Sequence, residues 1–200
     1  MFQEINNLYS RLHQLEINYW LTRDLFSMPW WVILLTNAVL FALLLFLIDR
    51  TRIIQIFLAF MVCFTIDGSF DDIGKFFGWW NYQHQLIVFT ARFNAANFAL
   101  VPASVALAYQ FFRTWGKFLI SQLLISAVYA FIGLPVFAWL GIITLSNWSY
   151  FGSFLVLILT GILTKAVTDW IVSAKREPHA HDDKNREFTF SSTRKKQGAR

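Results

Sequence analysis

Nothing between Phe118 and Thr164 carries a charge. About 20 apolar helical residues cross a ~30 Å hydrocarbon core, so this run is too long for one crossing. In lipid, a continuous apolar stretch can satisfy its backbone N–H and C=O groups only as helix. The run therefore reads as two spans, with the break at Ser146-Asn147-Trp148-Ser149-Tyr150. The two are placed at about 118–144, kinked near Pro135, and 150–172.

Three further spans precede them. The first opens at the start signals Ser27 and Pro29 and runs uncharged to about Ile48. The second begins after Asp49-Arg50-Thr51-Arg52, reaches about Phe70, and is long enough only with Asp67 inside it. The third lies within Phe93–Phe112, polar at its start (Asn94, Asn97) and interrupted by Pro102. Composition agrees. The chain is 56% hydrophobic and 14% charged, against about 45–50% and about 25% in soluble domains. The expected fold is all-α: a polytopic transmembrane helix bundle of about five spans (29–172) behind an N-terminal amphipathic helix (1–28).

Within that N-terminal segment Ile5, Leu8, Tyr9, Leu12, Leu15 and Tyr19 recur at helical spacing. Glu4, Arg11, Glu16, Arg23 and Asp24 break up any signal-peptide core. Those charges argue for a helix lying on the membrane surface or against the bundle. The one cysteine, Cys63, allows no intrachain disulfide and reads as a packed residue. Residues 173–200 carry eight basic and four acidic side chains, so the tail supplies +4 of the net +5. This polybasic segment, read as disordered, suits contact with anionic lipid and not with nucleic acid. Arg50, Arg52, Arg113, Lys117 and the tail fall on one side of a five-span topology. The positive-inside rule then puts the N-terminus outside and the C-terminus in the cytoplasm. Residues 82–92 are either a loop or a short re-entrant piece.

The ionisable residues in the second span are the functional candidates, because such groups are costly in lipid. Asp67, Asp71, Gly74 and Gly78 recur at four, three and four residues, on one helix face. Gly74 and Gly78 make a small-xxx-small step for close approach of another helix, and Lys75 is spaced to pair with Asp71. Asp72 reads as a solvated helix end. Asp67 lies deeper than Asp71 by about 6 Å at 1.5 Å per residue. Arg92 is its expected partner, since Lys165 lies about 10 Å or more away in depth and is expected to snorkel or to pair with Asp169. Asp67, Asp71, Arg92 and Asn97 form the expected ligand site, a pocket between the second and third spans. The Trp30-Trp31, Trp79-Trp80 and Trp148 clusters read as an aromatic belt. His179 and His181 in the tail make only a weak metal signal, so no metal and no cofactor is expected.

From Trp30 to Trp170 the chain resembles a family of small multi-pass membrane proteins from spore-forming bacteria. The resemblance rests on Asp49-Arg50, on Asp71, Gly74, Gly78, Trp80 and Tyr82 in an Asp-x-x-Gly-x-x-x-Gly-x-Trp-x-Tyr pattern, and on Val101-Pro102, Trp115, Lys117-Phe118, Pro135 and Trp139-Leu140-Gly141. It implies fold and location only, because that family has no established activity. The Asp-to-Tyr pattern is also similar to one in membrane-embedded carotenoid (lycopene) cyclases, which use a Pro-x-Glu-Glu motif for acid chemistry. Here the third span reads Val101-Pro102-Ala103-Ser104, with no Glu from Ile17 to Arg176.

The sequence therefore points to a non-enzymatic bacterial plasma-membrane protein acting as a binding or interaction module. Membrane lipid, and a membrane protein partner, are the expected contacts. The alternative is an isoprenoid- or lipid-modifying enzyme with Asp67 or Asp71 as proton donor. Ion or proton transport ranks third, because no other span supplies an acid at matching depth.

Overall fold

The computed structural model describes residues 1–88 and 99–174. Its helices are α1 (Phe2–Tyr19), α2 (Met28–Leu47), α3 (Ile53–Phe76), α4 (Leu100–Phe111), α5 (Trp115–Val128), α6 (Leu134–Trp139) and α7 (Tyr150–Ala174). Two short strands, β1 (Trp80–Tyr82) and β2 (Ile143–Leu145), pair antiparallel with Trp80 opposite Leu145 and Tyr82 opposite Ile143. The fold is an all-α bundle with this one hairpin-like pair at one end. That end is called the hairpin end below, and the opposite one the turn end.

Local chemistry sets most of the boundaries. Ser27 caps α2 by accepting from the Trp30 N–H at 3.3 Å, and Pro29 sits in the first turn, where no N–H is needed. At the turn end Asp49 accepts from the Thr51 N–H and hydroxyl, at 2.9 and 2.7 Å. Those bonds, the hydroxyl's first, hold its carboxyl below the usual carboxylate range. Pro135 has no N–H to give to the turn before it, and Tyr129–Gly133 widens into a π-helical turn joining α5 to α6.

Two helices stop the same way. The Gly78 N–H donates to Lys75 O and the Trp79 N–H to Gly74 O, with Gly78 at φ +66°. Gly141, at φ +71°, donates to Ala138 O while Ile142 donates to Phe137 O. Each is a left-handed glycine closing a Schellman motif. Each turns the chain into one of the two strands, so the ends of α3 and α6 are tied together.

Among the described residues, four segments are long and apolar enough to cross a membrane: Met28–Leu47, Arg50–Phe76, Trp115–Trp139 and Tyr150–Ala174. Their outward faces carry exposed Phe46, Ile54, Ile120, Ile132 and Phe151, an apolar surface suited to lipid and not to water. At α4 the structure departs from a plain five-span bundle. Its 12 residues measure about 18 Å. Its capping residue Ala99 donates its N–H to Asn37 Oδ1, midway along α2. Its other end reaches the turn end, where Gln110 donates to Leu47 O and accepts from the Asp49 N–H. Pro102 lies in the first turn of α4 and interrupts nothing, because the N–H it lacks would have had no helical partner. The earlier part of the expected third span, with Asn94, lies outside the described residues.

The core sits around α4. It packs on α3 and α2 and lies beside α5 and α7. Ala59 and Cys63 of α3 meet Val101, Val105, Ala108 and Tyr109 of α4 and Phe118 of α5. Ala103 and Ala106 meet Ile56 and Phe60 of α3 and Leu44 of α2. At the turn end Lys165 is 2% exposed. It pairs with Asp169 at 3.1 Å, donates to Arg113 O, and lies 4.9 to 5.3 Å from the Tyr109, Trp115 and Phe118 ring centroids. The expected snorkelling is overturned, because Asp169 and three rings give the ammonium a better shell than the headgroups would. None of α1 is buried, and its last turns face the loop at 83–88 across a cleft.

Candidate functional site

The sequence motif at Asp71 turns out to be a closure device. Asp71 is 4% exposed near the end of α3, and its Oδ1 accepts from Trp80 Nε1 at 2.9 Å and from the Tyr82 hydroxyl at 2.7 Å. Both donors come from β1, two residues apart and so on the same face of the strand. Gly74 makes room for the first of them: a Cβ built there would fall 2.0 Å from Trp80 Cζ2. Gly78 supplies the left-handed turn that brings β1 back over α3. The expected helix–helix approach at Gly74 and Gly78 is therefore corrected. An indole fills the gap at Gly74, and Gly78 lies beyond the helix. Lys75 does not pair with Asp71 either. Its Nζ lies 5.7 Å from the Tyr82 ring centroid. Asp72 is exposed, as a helix-end residue would be.

Under this closure lies a cavity of about 130 Å³. Asp67, Phe70 and Asp71 of α3 meet there with Leu100 and Val101, the first turn of α4. Tyr129, Ala130 and Gly133 of the π-helical turn and Phe137 of α6 form another wall, with Val156 and Leu157 of α7 beside them. Trp80, Tyr82, Ile143, Leu145 and Trp148 come from the hairpin region. Trp148 stacks on Trp79 at 4.7 Å and meets Trp80 edge-on at 5.1 Å. The expected belt tryptophans at this end thus double as part of the cavity wall.

The polar groups on the wall differ in how they are satisfied. Tyr129 OH is engaged by Ser104 Oγ in a short hydrogen bond and reaches Leu100 O at 3.3 Å. Trp148 Nε1 donates to Ser153 Oγ at 2.9 Å. Asp67 is 6% exposed, and its Oδ2 has no hydrogen-bond partner among the described residues. It also makes no ion pair among them. Asp67 and Asp71 therefore share one cavity but play different parts: Asp71 holds the closure, and Asp67 is left facing the space. The other two expected ligand residues, Arg92 and Asn97, lie outside the described residues, as do His179 and His181.

A second constellation carried no local signal. Asp24, in an acidic-basic pair that reads as surface charge, is 2% exposed. It lies 2.9 Å from His84 Nδ1 and accepts from the Gln85 N–H at 2.7 Å. Trp20 Nε1 donates to Gln85 O and Trp30 Nε1 to Leu86 O. The start of the 82–92 segment is thereby fixed as a loop strapped to the α1–α2 junction. A wider cleft of about 600 Å³ lies between this loop and the end of α1, with Tyr82 in its wall as well.

Set against known proteins, the chain matches no family model, no curated protein and no solved structure.

Proposed function

We propose that the protein is an integral membrane binding module whose ligand site is the cavity around Asp67. The observation that carries this reading is Asp67 Oδ2, buried and without a hydrogen-bond partner among the described residues, on the wall of a mainly apolar cavity. An unsatisfied buried polar group costs about 1–3 kcal/mol of stability. Such groups persist within spans chiefly where they serve a function. An apolar concavity with one or two placed polar groups is also the usual form of a small-molecule site. The ligand is then a small molecule, or the end group of a lipid, presenting apolar surface and one polar group to Asp67. The charge distribution favours an orientation with the hairpin end outside and the tail in the cytoplasm against anionic lipid, and the family resemblance favours a bacterial plasma membrane.

Extraction of the purified protein tests this. A small molecule should co-purify with the wild-type chain and be lost from Ala130→Phe, which fills the cavity. Identical extracts from both would sink the proposal. The alternative, an isoprenoid-modifying enzyme, draws on the same geometry. A buried carboxyl can serve as general acid, and aromatic faces stabilise positive charge that develops in a polyene. Lipid extracts from cells lacking and overproducing the protein separate the two. An enzyme changes a lipid or pigment species, whereas a binding module leaves the species as they are.

A further inference from the structure

The chemistry of the cavity narrows its ligand beyond size. Among the engaged polar groups, the indole N–H groups of Trp80 and Trp148 are held by Asp71 and Ser153, and Tyr129 OH is held by Ser104. What remains is aliphatic and aromatic surface around two buried carboxyls, Asp71 engaged by β1 and Asp67 with an oxygen that has no partner among the described residues. An ionised carboxyl only accepts hydrogen bonds, so the complement that would hold Asp67 in its charged form in this buried place is a donor or a positive charge. Aromatic faces attract cations too, and more strongly out of water. A hard metal ion fits poorly here, since it needs six or more oxygen ligands and these walls are mainly carbon.

The approach to the site has the same sign. Tyr82 belongs to the walls of both the cavity and the wider cleft. That cleft carries Glu16 and Asp24, and among the described residues neither space is lined by Lys or Arg. Size gives a further limit. A dry cavity of about 150 Å³ accepts a benzene-sized molecule, and about 130 Å³ suits a trimethylammonium-sized head.

Taking the cavity as the ligand site, as proposed above, we infer that its occupant is a small organic ammonium cation. Asp67 is the counter-ion, the Trp80 and Trp148 rings receive the head, and entry is from the acidic cleft past Tyr82.

The test uses the full chain in detergent. Choline chloride is titrated against tryptophan fluorescence at fixed ionic strength, beside its neutral isostere 3,3-dimethylbutan-1-ol. Choline should saturate and bind at least tenfold more tightly than the isostere. Asp67→Asn should abolish that preference while still binding the isostere. Equal or tighter binding of the isostere by the wild type, or unchanged choline affinity in Asp67→Asn, would overturn the ammonium assignment and leave the cavity reading standing. No response to either probe would also overturn it, and the extraction experiment then judges the cavity by itself. Should Asp67→Asn fail to fold, Trp148→Leu takes its place. A tenfold loss for choline with less than threefold for the isostere is expected, and equal losses would count against the inference.

Discussion

The indole of Trp80 occupies the space that a side chain on residue 74 would fill. A Cβ on Gly74 would lie 2.0 Å from Trp80 Cζ2 and 2.1 Å from Cη2. Because Trp80 is also bonded to Asp71 and sits in β1, it cannot retreat without opening the closure of the cavity. Gly74→Ala should therefore destabilise the protein by about 1–3 kcal/mol, the range for overpacking. Gly116→Ala is the control, since nothing lies within 4 Å of its Cβ position in the first turn of α5. There the helix-propensity gain of about 0.5–1 kcal/mol should dominate. Thermal unfolding in one detergent compares them, and equal shifts would contradict the close contact.

The Asp71 bonds predict a coupled pair. Asp71→Ala removes the acceptor shared by the Trp80 N–H and the Tyr82 hydroxyl, and an indole N–H left unsatisfied costs about 1–3 kcal/mol. Tyr82→Phe removes one of the two bonds. In an Asp71→Ala background it should add little, because the bond is already gone. Additive losses in the double-mutant cycle would mean that Tyr82 stabilises the bundle by another route.

Asp67 should behave in the opposite way to Asp71. Replacing a buried orphan by an apolar side chain removes its desolvation penalty, and the adjoining cavity has room for the added methyls. Asp67→Leu is expected to raise the unfolding midpoint, by a stabilisation of about 1–3 kcal/mol. A charge partner for Asp67 in the folded protein, such as Arg92, predicts a loss of about 3–5 kcal/mol from breaking the pair. The sign of the shift decides between them.

The two ends of the bundle should label from opposite sides of the membrane. Asn147, just after β2, and Thr114, between α4 and α5, are both exposed. In a Cys63→Ser background, an impermeant maleimide applied to intact cells should modify Asn147→Cys and spare Thr114→Cys until the membrane is opened. Reversed labelling would invert the orientation, and labelling of both from outside would overturn the span count.

How far the sequence could be read follows from how local each feature is. Ser27, Pro29 and the uncharged runs mark α2 and α7 to within a residue or two, because caps and hydrophobicity act within one segment. Pro135 likewise announced the break between α5 and α6. The strand pair was illegible: three residues at 80–82 meet three at 143–145, with nothing in either stretch to name its partner. Its trace is the repeated glycine stop, Gly78 and Gly141, each two residues before a strand. Spacing alone read Gly74 as a groove for a helix, because composition cannot say whether a helix or an indole fills the gap. Asp24 was missed for a similar reason, since its partners come from a loop two spans away.

The pairing of β1 with β2 also sets an order of assembly. In the chain, α4, α5 and α6 all lie between the two strands. β1 therefore emerges early and waits, and its partner exists only after those three helices have been synthesised. Long-range pairing of this kind incurs its loop-closure entropy before any contact offsets it. The chamber over Asp67 is thus walled from α3 and α4 first and completed last by Trp148 and by Val156 and Leu157 of α7, so the nascent protein holds an open vessel until α7 is in place.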